Sequence, residues 1–409
     1  MSVRFEPFRG VRYSDQSDMT ALFCPPYDVI SPSEQDDLYE RHPHNAIHLE
    51  LAKTSSSGDD KYRDVGETYR QWVEHGVLRR DETPSFYVYR QDFIDQDGVR
   101  RRVAGTLGAL GLQEFGETSG VLPHERTMPG PKADRLALMH AAPVNFSPIF
   151  AIYRGGGGLA PFYDSLENRP PDVRFVDDAG TLHRMWAITA PAEIETIVGA
   201  HSTGPLVIAD GHHRYETALE FHREQSSTGP HDSIMTFAVD ADVEGLVVLP
   251  YNRSVSTESD PSSPAGALDA AFTTRAVTGD GLDELARSQA DHPMLFVFPH
   301  HSTIAEVADD EIVARLGQRA AAWRALDVVA LHEVVLPRIA PDIEDITFSK
   351  DEMEIRKAVA EGRASFGVLL RPLTAPQIVD VARSGERMPQ KASYFWPKAV
   401  TGIVFRELL

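Results

Sequence analysis

One short stretch restricts the fold of this chain more than any other: Leu206-Val-Ile-Ala-Asp-Gly-His-His-Arg-Tyr-Glu-Thr-Ala-Leu219. Leu206 to Ala209 is an apolar run with β-branched residues at 207 and 208, which predicts a buried strand. Asp210-Gly211 breaks it. From His212 the period changes: Tyr215, Ala218, Leu219 and His222 recur at three- and four-residue spacing with Glu216, Glu220, Arg223 and Glu224 between them, the pattern of an amphipathic helix. A strand, a glycine turn and a helix are therefore expected, with two histidines and an arginine in the first helical turn. A helix start presents unpaired N–H groups and partial positive charge, which suits an anion. Arg214 adds a planar fork of donors that matches phosphate or carboxylate.

Each residue of this stretch also has a plainer role. Asp210 can cap the helix, hold a metal or accept a proton, and Gly211 can be a turn residue alone. His212 and His213 are neighbours, about 100° apart on a helix, so they do not form an HExxH-type metal pair. The concentration of Asp210, Gly211, His212, His213 and Arg214 at one strand-to-helix junction favours function over structure.

Composition narrows the classes. The chain has 409 residues, 42% of them hydrophobic and 25% charged, ample for a buried core and for two or three domains. A single cysteine, Cys24, excludes an intramolecular disulfide and a cysteine zinc cluster. The opening residues lack an apolar signal core and no window reaches the length of a membrane span, so a cytoplasmic location is expected. The formal charge of −21 repels a phosphate backbone and argues against sequence-independent DNA binding, while leaving room for a small positive pocket.

Elsewhere the chain offers four more segments of note. Cys24-Pro-Pro-Tyr-Asp-Val-Ile-Ser31 is stiffened by two prolines and presents Tyr27 and Asp28; Ser31-Pro-Ser-Glu34 follows as a helix start. Ala46-Ile-His-Leu-Glu-Leu51 alternates, which predicts a strand with Glu50 on its polar face. If both faces are covered, Glu50 is a candidate general base; if one is wet, it is merely solvated. Leu122 to Arg135 is a proline-rich loop bearing His124, Glu125, Arg126, Thr127 and Lys132, suited to a phosphate or an amino acid. Gly385 to Lys398 gathers Arg387, Lys391, Ser393 and Lys398 in an otherwise acidic chain. Helices are expected over 61–76, 192–198, 311–331 and 352–361. Strands are expected at 85–93 and 99–112, joined as a hairpin through Gln96-Asp97-Gly98, and at 149–153, 182–188, 233–239, 246–249, 293–298, 343–348, 364–370 and 401–405. Gly155 to Gly158 reads as a flexible loop, since no strand–GxGxxG–helix unit surrounds it. Ser254 to Gly266 is the best candidate boundary, dividing a domain over 1–253 from one over 267–409.

The segments Ala209-Asp-Gly-His-His-Arg-Tyr-Glu-Thr-Ala218, Pro-Pro-Tyr-Asp at 25–28, His-Glu and Pro-Lys-Ala-Asp-Arg at 124–135, and Gly-Glu-Arg-Met-Pro-Gln-Lys at 385–391 resemble, essentially end to end, a widespread bacterial family of unknown function. The Asp-Gly-His-His-Arg core is also similar to the motif of the ParB/sulfiredoxin-like superfamily and, within it, of SerK-type free-serine kinases. That resemblance implies an α/β fold of mixed sheets, with a ParB/sulfiredoxin-like nucleotide-binding core and an additional C-terminal α+β domain that lends a basic loop to the site. It implies a phosphotransferase acting on the hydroxyl of a free amino acid, L-serine first, with ATP or ADP as donor and Mg²⁺ as cofactor. Asp210 would hold the metal or polarise the acceptor, and Gly211, His212, His213 and Arg214 would meet the phosphate, with Arg387, Lys391 and Lys398 closing over it. Glu50, with Asp28 second, would be the base, and Tyr27, His124, Glu125, Arg126 and Lys132 would line the acceptor. The partners expected are a nucleotide and a small hydroxyl amino acid, without nucleic acid or membrane; a homodimer is compatible with the chain. Two other classes stand beside this one: a ParB-like nucleotide switch or scaffold without DNA binding, and a metal-dependent hydrolase built on Asp210, His212, His213 and His124.

Overall fold

The computed structural model describes residues 3–15, 18–53, 60–125, 130–202, 204–258 and 262–409. The chain is mixed α/β and divides into two compact units, one formed by residues 1–123, 127–246 and 397–409, the other by 124–126 and 247–396. The division falls at Leu246/Val247 instead of within Ser254–Gly266. That stretch is not a linker: strand Asn252–Thr257 and helix Ser262–Ala271 occupy most of it.

The first unit is organised by a nine-stranded sheet: β1 (Phe5–Glu6), β2 (Phe86–Ile94), β3 (Arg100–Gly111), β4 (Val121–Pro123), β5 (Ile149–Tyr153), β6 (Val173–Val176), β7 (Leu182–Ile188), β8 (Leu206–Asp210) and β9 (Ser233–Asp240). Their order is β4-β8-β5-β9-β3-β2-β7-β6, with β1 pairing β3 off this path. The β2–β3 hairpin is antiparallel, as its turn residues predict. Around the motif the sheet is mixed: β8 runs parallel to β4 and antiparallel to β5, and β5 runs parallel to β9. A strand at such a position is covered on both faces, which is why Leu206, Val207 and Ile208 are an unbroken apolar run and are fully buried. Among the helices are α1 (Pro32–Arg41), α2 (Ile47–Glu50), α3 (Asp60–Glu74), α4 (Gly130–Ala141), α5 (Pro191–His201) and α6 (His212–Glu224). The apolar stripe of α6, Tyr215, Ala218, Leu219 and Phe221, joins Ile149, Ala151 and Ile208 in one core. At the start of α1 the Ser31 hydroxyl accepts from Glu34 N and the Glu34 carboxylate accepts from Ser31 N, a reciprocal capping box.

The second unit holds a six-stranded sheet of β10 (Asn252–Thr257), β11 (Thr273–Ala276), β12 (His292–Val297), β13 (Ser302–Val307), β14 (Ile343–Ser349) and β15 (Phe366–Leu369), ordered β11-β13-β12-β15-β10-β14. Every pairing in it is antiparallel.

Three expected elements differ. Residues 46–51 are helical at Ile47–Glu50 instead of extended. Asn45 explains this: its side-chain oxygen accepts from Ile47 N at 2.9 Å while its amide donates to Ala21 O and Phe23 O, starting a turn. The single helix expected over 311–331 is instead Asp309–Leu316, Ala321–Arg324 and Asp327–Ala330, the last running on through a π-helical turn at Leu331–Val335. Gly317 ends the first piece. The strand expected at 401–405 reduces to bridges at Thr401 and Phe405, because Gly402 takes φ +101° between them.

The four-glycine run has a partner distant in sequence. Asp240, at the end of β9, accepts from Gly155 N at 3.0 Å and Gly157 N at 2.6 Å, and Asp242 accepts from Gly156 N at 3.0 Å. Gly156 and Gly157 have positive φ, and a Cβ on Gly155 would meet the Tyr153 ring and the Asp240 carboxylate within 2.7 Å, so only glycine permits this approach. Asp240→Ala leaves two of these N–H groups without their acceptor; a loss of about 2 kcal/mol in unfolding free energy is expected in urea titrations at neutral pH.

Candidate functional site

The motif folds as its period predicts, and Gly211 makes the turn. Its φ of +87° is left-handed, and a Cβ there would lie 2.9 Å from Ile149 Cγ2 and 3.0 Å from the Arg214 guanidinium. Gly211, not Asp210, is the N-cap of α6, and no side chain caps the helix. Asp210 is thereby left to other partners. Its Oδ2 accepts from Arg214 at 2.7 Å and its Oδ1 from the Lys398 ammonium. Lys398 also lies 4.0 Å from Asp28 Oδ2. Arg214 donates onward to Pro148 O at 2.5 Å and to Ser147 Oγ at 3.1 Å. Ser147 donates to Glu50 Oε1 at 2.9 Å, and the same oxygen accepts from Tyr27 N at 3.4 Å. Arg135 closes the group: its guanidinium sits 4.3 Å from the Tyr27 ring centroid and donates to the Glu50 carbonyl at 2.9 Å.

The electrostatics follow from this packing. Burial alone would push the Asp210 carboxyl up, but the Lys398 ammonium and the Arg214 guanidinium, with His212 adding to them, outweigh it and hold the carboxyl well below the usual carboxylate range. Burial would lower Arg214, and Asp210, Asp28, Tyr27 and Glu50 together reverse that and keep it charged. Burial is also the main cause that raises the Tyr27 phenol. Beside the network is a small cavity of about 40 Å³ lined by Glu50, Arg135, Asn145, Ser147, Arg214 and Thr217 among others.

Of the residues singled out in sequence, Tyr27, Asp28, Glu50, Asp210, Gly211, Arg214 and Lys398 come together in the first unit. His212 is buried at the base of the same helical turn and His213 is half-buried beside it. Glu50 is 2% exposed, so the expected carboxylate is buried although its segment is a helix and not a strand. Lys132 is ion-paired with Glu216 of α6. His124, Glu125, Arg387 and Lys391 belong to the second unit. There His124 meets Ser393 Oγ at 3.2 Å, Glu125 bridges Met388, the Arg387 carbonyl accepts from Trp323, and Lys391 lies over the Tyr251 ring. Arg126 and Thr127 lie outside the described residues. The hydrolase set Asp210, His212, His213 and His124 does not form a ligand cluster among the described residues; a group with ligand-like spacing occurs at His222, His231 and Asp232. Ser147 and Arg135 were not picked out from sequence. Asn-Phe-Ser-Pro148 reads only as a lead into β5, and nothing local marks its serine as the link between a buried acid and a half-buried arginine.

The sign of the Asp210 shift sets an expectation. A carboxyl depressed in the folded state stabilises fully above its unfolded value of about 3.9 and loses that contribution as pH falls through its folded value. Asp210→Asn leaves Arg214 and Lys398 without their anion and is expected to cost about 3 kcal/mol at pH 7. Urea titrations of both proteins should show that gap constant from pH 8 to 5 and narrowing below pH 4.

No curated protein sequence matches the chain. Among solved structures it is similar to a conserved hypothetical protein from Pyrococcus furiosus, at 12% identity over 71% of this chain and 90% of that one with a TM-score of 0.35. It is similar to a free serine kinase in complex with AMP, at 12% identity over 69% of this chain and 89% of that one, TM-score 0.35. A third is SbnI with a C-terminal truncation from Staphylococcus aureus, at 10% identity over 73% of this chain and 87% of that one, TM-score 0.39. Likeness at this level says nothing about which ligand this chain binds. The sequence model for a protein of unknown function, DUF1015, matches residues 5–329, a span that contains the whole of the Asp-Gly-His-His-Arg segment, and the chain belongs to that family.

Proposed function

We propose that this protein is a small-molecule kinase that moves a phosphoryl group from ATP or ADP to the hydroxyl of a free amino acid, L-serine giving O-phosphoserine. One observation carries the reading: Asp28, Glu50, Asp210, Arg214 and Lys398, from four separate segments, share one largely buried network around the start of α6. Phosphoryl transfer asks for cations on the phosphates, an aligned acceptor and a base for its proton, and little covalent chemistry from the protein. Arg214, Lys398 and the uncapped first turn with His212 and His213 supply the first. Glu50 is the base. Ser147 and Tyr27 N hold its carboxylate in place, and its burial keeps bulk water from competing for the acceptor proton. Arg135, stacked on Tyr27 beside Glu50 and paired with Asp134, would take the acceptor's carboxylate in exchange for that partner, a role the sequence assigned to Arg126 or Lys132.

The residues fit a divalent cation. The Lys398 ammonium is placed against Asp210 and near Asp28, a position where the protein already favours positive charge between two carboxylates. Asp210 and Asp28 would hold Mg²⁺, which when bound offsets charge on the transferring phosphate. For the nucleoside, the first unit has a cavity of about 390 Å³ lined by Phe23, Cys24, Leu38, Phe175 and Val400, with Asp37 and Asp177 among its polar groups. Its size is that of a small-ligand pocket. Cys24 and Pro25 lead directly into Tyr27 and Asp28, and Val400 stands two residues from Lys398, so a base seated there has its phosphates directed along two segments that carry the network. Acidic rims suit ribose hydroxyls, not phosphates. The serine preference comes from the motif's resemblance alone.

Incubation with ATP or ADP, Mg²⁺ and a panel of hydroxyl metabolites, followed by ³¹P NMR and mass spectrometry, is expected to yield O-phosphoserine. Glu50→Gln should cut turnover at least about 100-fold with its far-ultraviolet circular dichroism unchanged. Absence of any phosphorylated acceptor would overturn the kinase reading. Nucleotide hydrolysis indifferent to added amino acids would assign the nucleotide-switch class instead.

A further inference from the structure

α6 carries a second chemical cluster at its other end. His222 is in its last turn, and His231 and Asp232 lie in the 3-10 turn Pro230–Asp232 that leads into β9. His222 Nδ1 lies 3.1 Å from Asp232 Oδ1, and His231 Nε2 lies 3.5 Å from the same oxygen. At these distances a hydrogen bond is expected, yet His222 Nδ1 and Asp232 Oδ1 are both buried from water and have no hydrogen-bond partner. The atoms are near one another, but an N–H on the ring does not point at the oxygen. Buried polar groups left in that state are costly unless something else satisfies them. Ligand atoms around a tetrahedral ion, with bonds of about 2.0–2.1 Å, stand roughly 3.4 Å apart; the two histidine-to-Asp232 spacings are 3.1 and 3.5 Å, and all three ligand atoms lie within 4.8 Å of one another.

The surroundings hold the cluster in place. The second Asp232 oxygen accepts from Gly229 N at 3.0 Å. Arg406 donates to Pro230 O and Ser233 O, pinning both ends of the turn. The His231 ring packs so tightly on Gly229 that a Cβ there would stand 2.8 Å from its Cε1. The Ser227 carbonyl accepts from His231 Nε2 at 2.7 Å and fixes the ring, so a metal either takes that nitrogen as its proton leaves or binds the buried, unpartnered Nδ1. The negative end of the α6 dipole adds a preference for a cation. His231 is 5% exposed, whereas the His222 side chain is 42% exposed.

From this arrangement we infer that His222, His231 and Asp232 form a site for a borderline-soft divalent transition metal of the zinc class, which ties the end of α6 to the turn before β9. Two imidazoles and one carboxylate are a zinc-type donor set and a poor one for Mg²⁺. From Arg214 to His222 the helix rises about 12 Å, so this site is separate from the Asp210 network and does not depend on its reading.

The test uses the full chain, dialysed against EDTA and then against metal-free buffer. Titration with Zn²⁺ alone is expected to show one stoichiometric site with a rise in Tm, and Co²⁺ should give the intense visible absorption of a tetrahedral ion. His222→Gln, a half-exposed position that should fold, is expected to weaken Zn²⁺ at least about 10-fold and to abolish the Tm rise. Asp232→Asn should do the same, while Glu50→Gln should bind Zn²⁺ as the wild type does. Adventitious binding elsewhere among the 16 histidines would persist in the variant, so equal affinity in wild type and His222→Gln would overturn the site. So would failure of the dialysed wild type to bind Zn²⁺ or Co²⁺.

Discussion

The first unit's chemistry depends on keeping Asp210 charged where little water reaches it. A carboxylate in that position is costly to desolvate, and the cost is offset only by close, well-directed partners. Arg214 provides one from the first turn of α6, four residues along the chain. Lys398 provides the other from a segment 188 positions away in sequence. Two cations on one anion would leave surplus positive charge, and Asp28 and, through Ser147, Glu50 stand close enough to offset it. The formal charges of the network therefore come close to cancelling.

Much of this was readable along the chain, and the parts that were not share a cause. The change of period at Gly211, the hairpin at Asp97-Gly98 and the capping box at Ser31 are local signals with local mechanisms, and each appears where the residues place it. Residues 46–51 fail because six alternating residues are compatible with one buried helical turn, and the deciding hydrogen bonds come from Asn45 to Ala21 and Phe23. The glycine run at 155–158 looks like a flexible loop until Asp240, far along the chain, fills it with a carboxylate. Arg135 and Ser147 were missed for the same reason. Their importance lies in whom they touch, and Glu50, Tyr27 and Arg214 are not sequence neighbours of either.

Residue type alone misled in one further way. A basic loop in an acidic chain invites a single assignment for all its cations, yet Arg387 and Lys391 belong to one compact unit and Lys398 to the other. The difference arises from Pro397, where the chain passes from the second unit to the first. Beyond it, the Lys398 carbonyl accepts from Gln91, Thr401 exchanges backbone bonds with Cys24, and Phe405 does so with Val11. Arg406 then donates to Asn145, and Leu408 N to Pro143 O.

Those anchors give residues 397–409 a role that their composition hides. They bind β2, the Cys24 loop, Val11 after β1 and the approach to β5, and two of these pieces also present Tyr27, Asp28 and Ser147. Lys398 is thus positioned by the same contacts that hold its counter-charges, and those contacts come from segments far from it in sequence. A site assembled in this way joins local and distant elements in one ionic network, so its integrity reports on the folding of the whole first unit. That coupling is why a charge pair of ordinary chemistry, Asp210 with Lys398, is the interaction on which the rest of the arrangement depends.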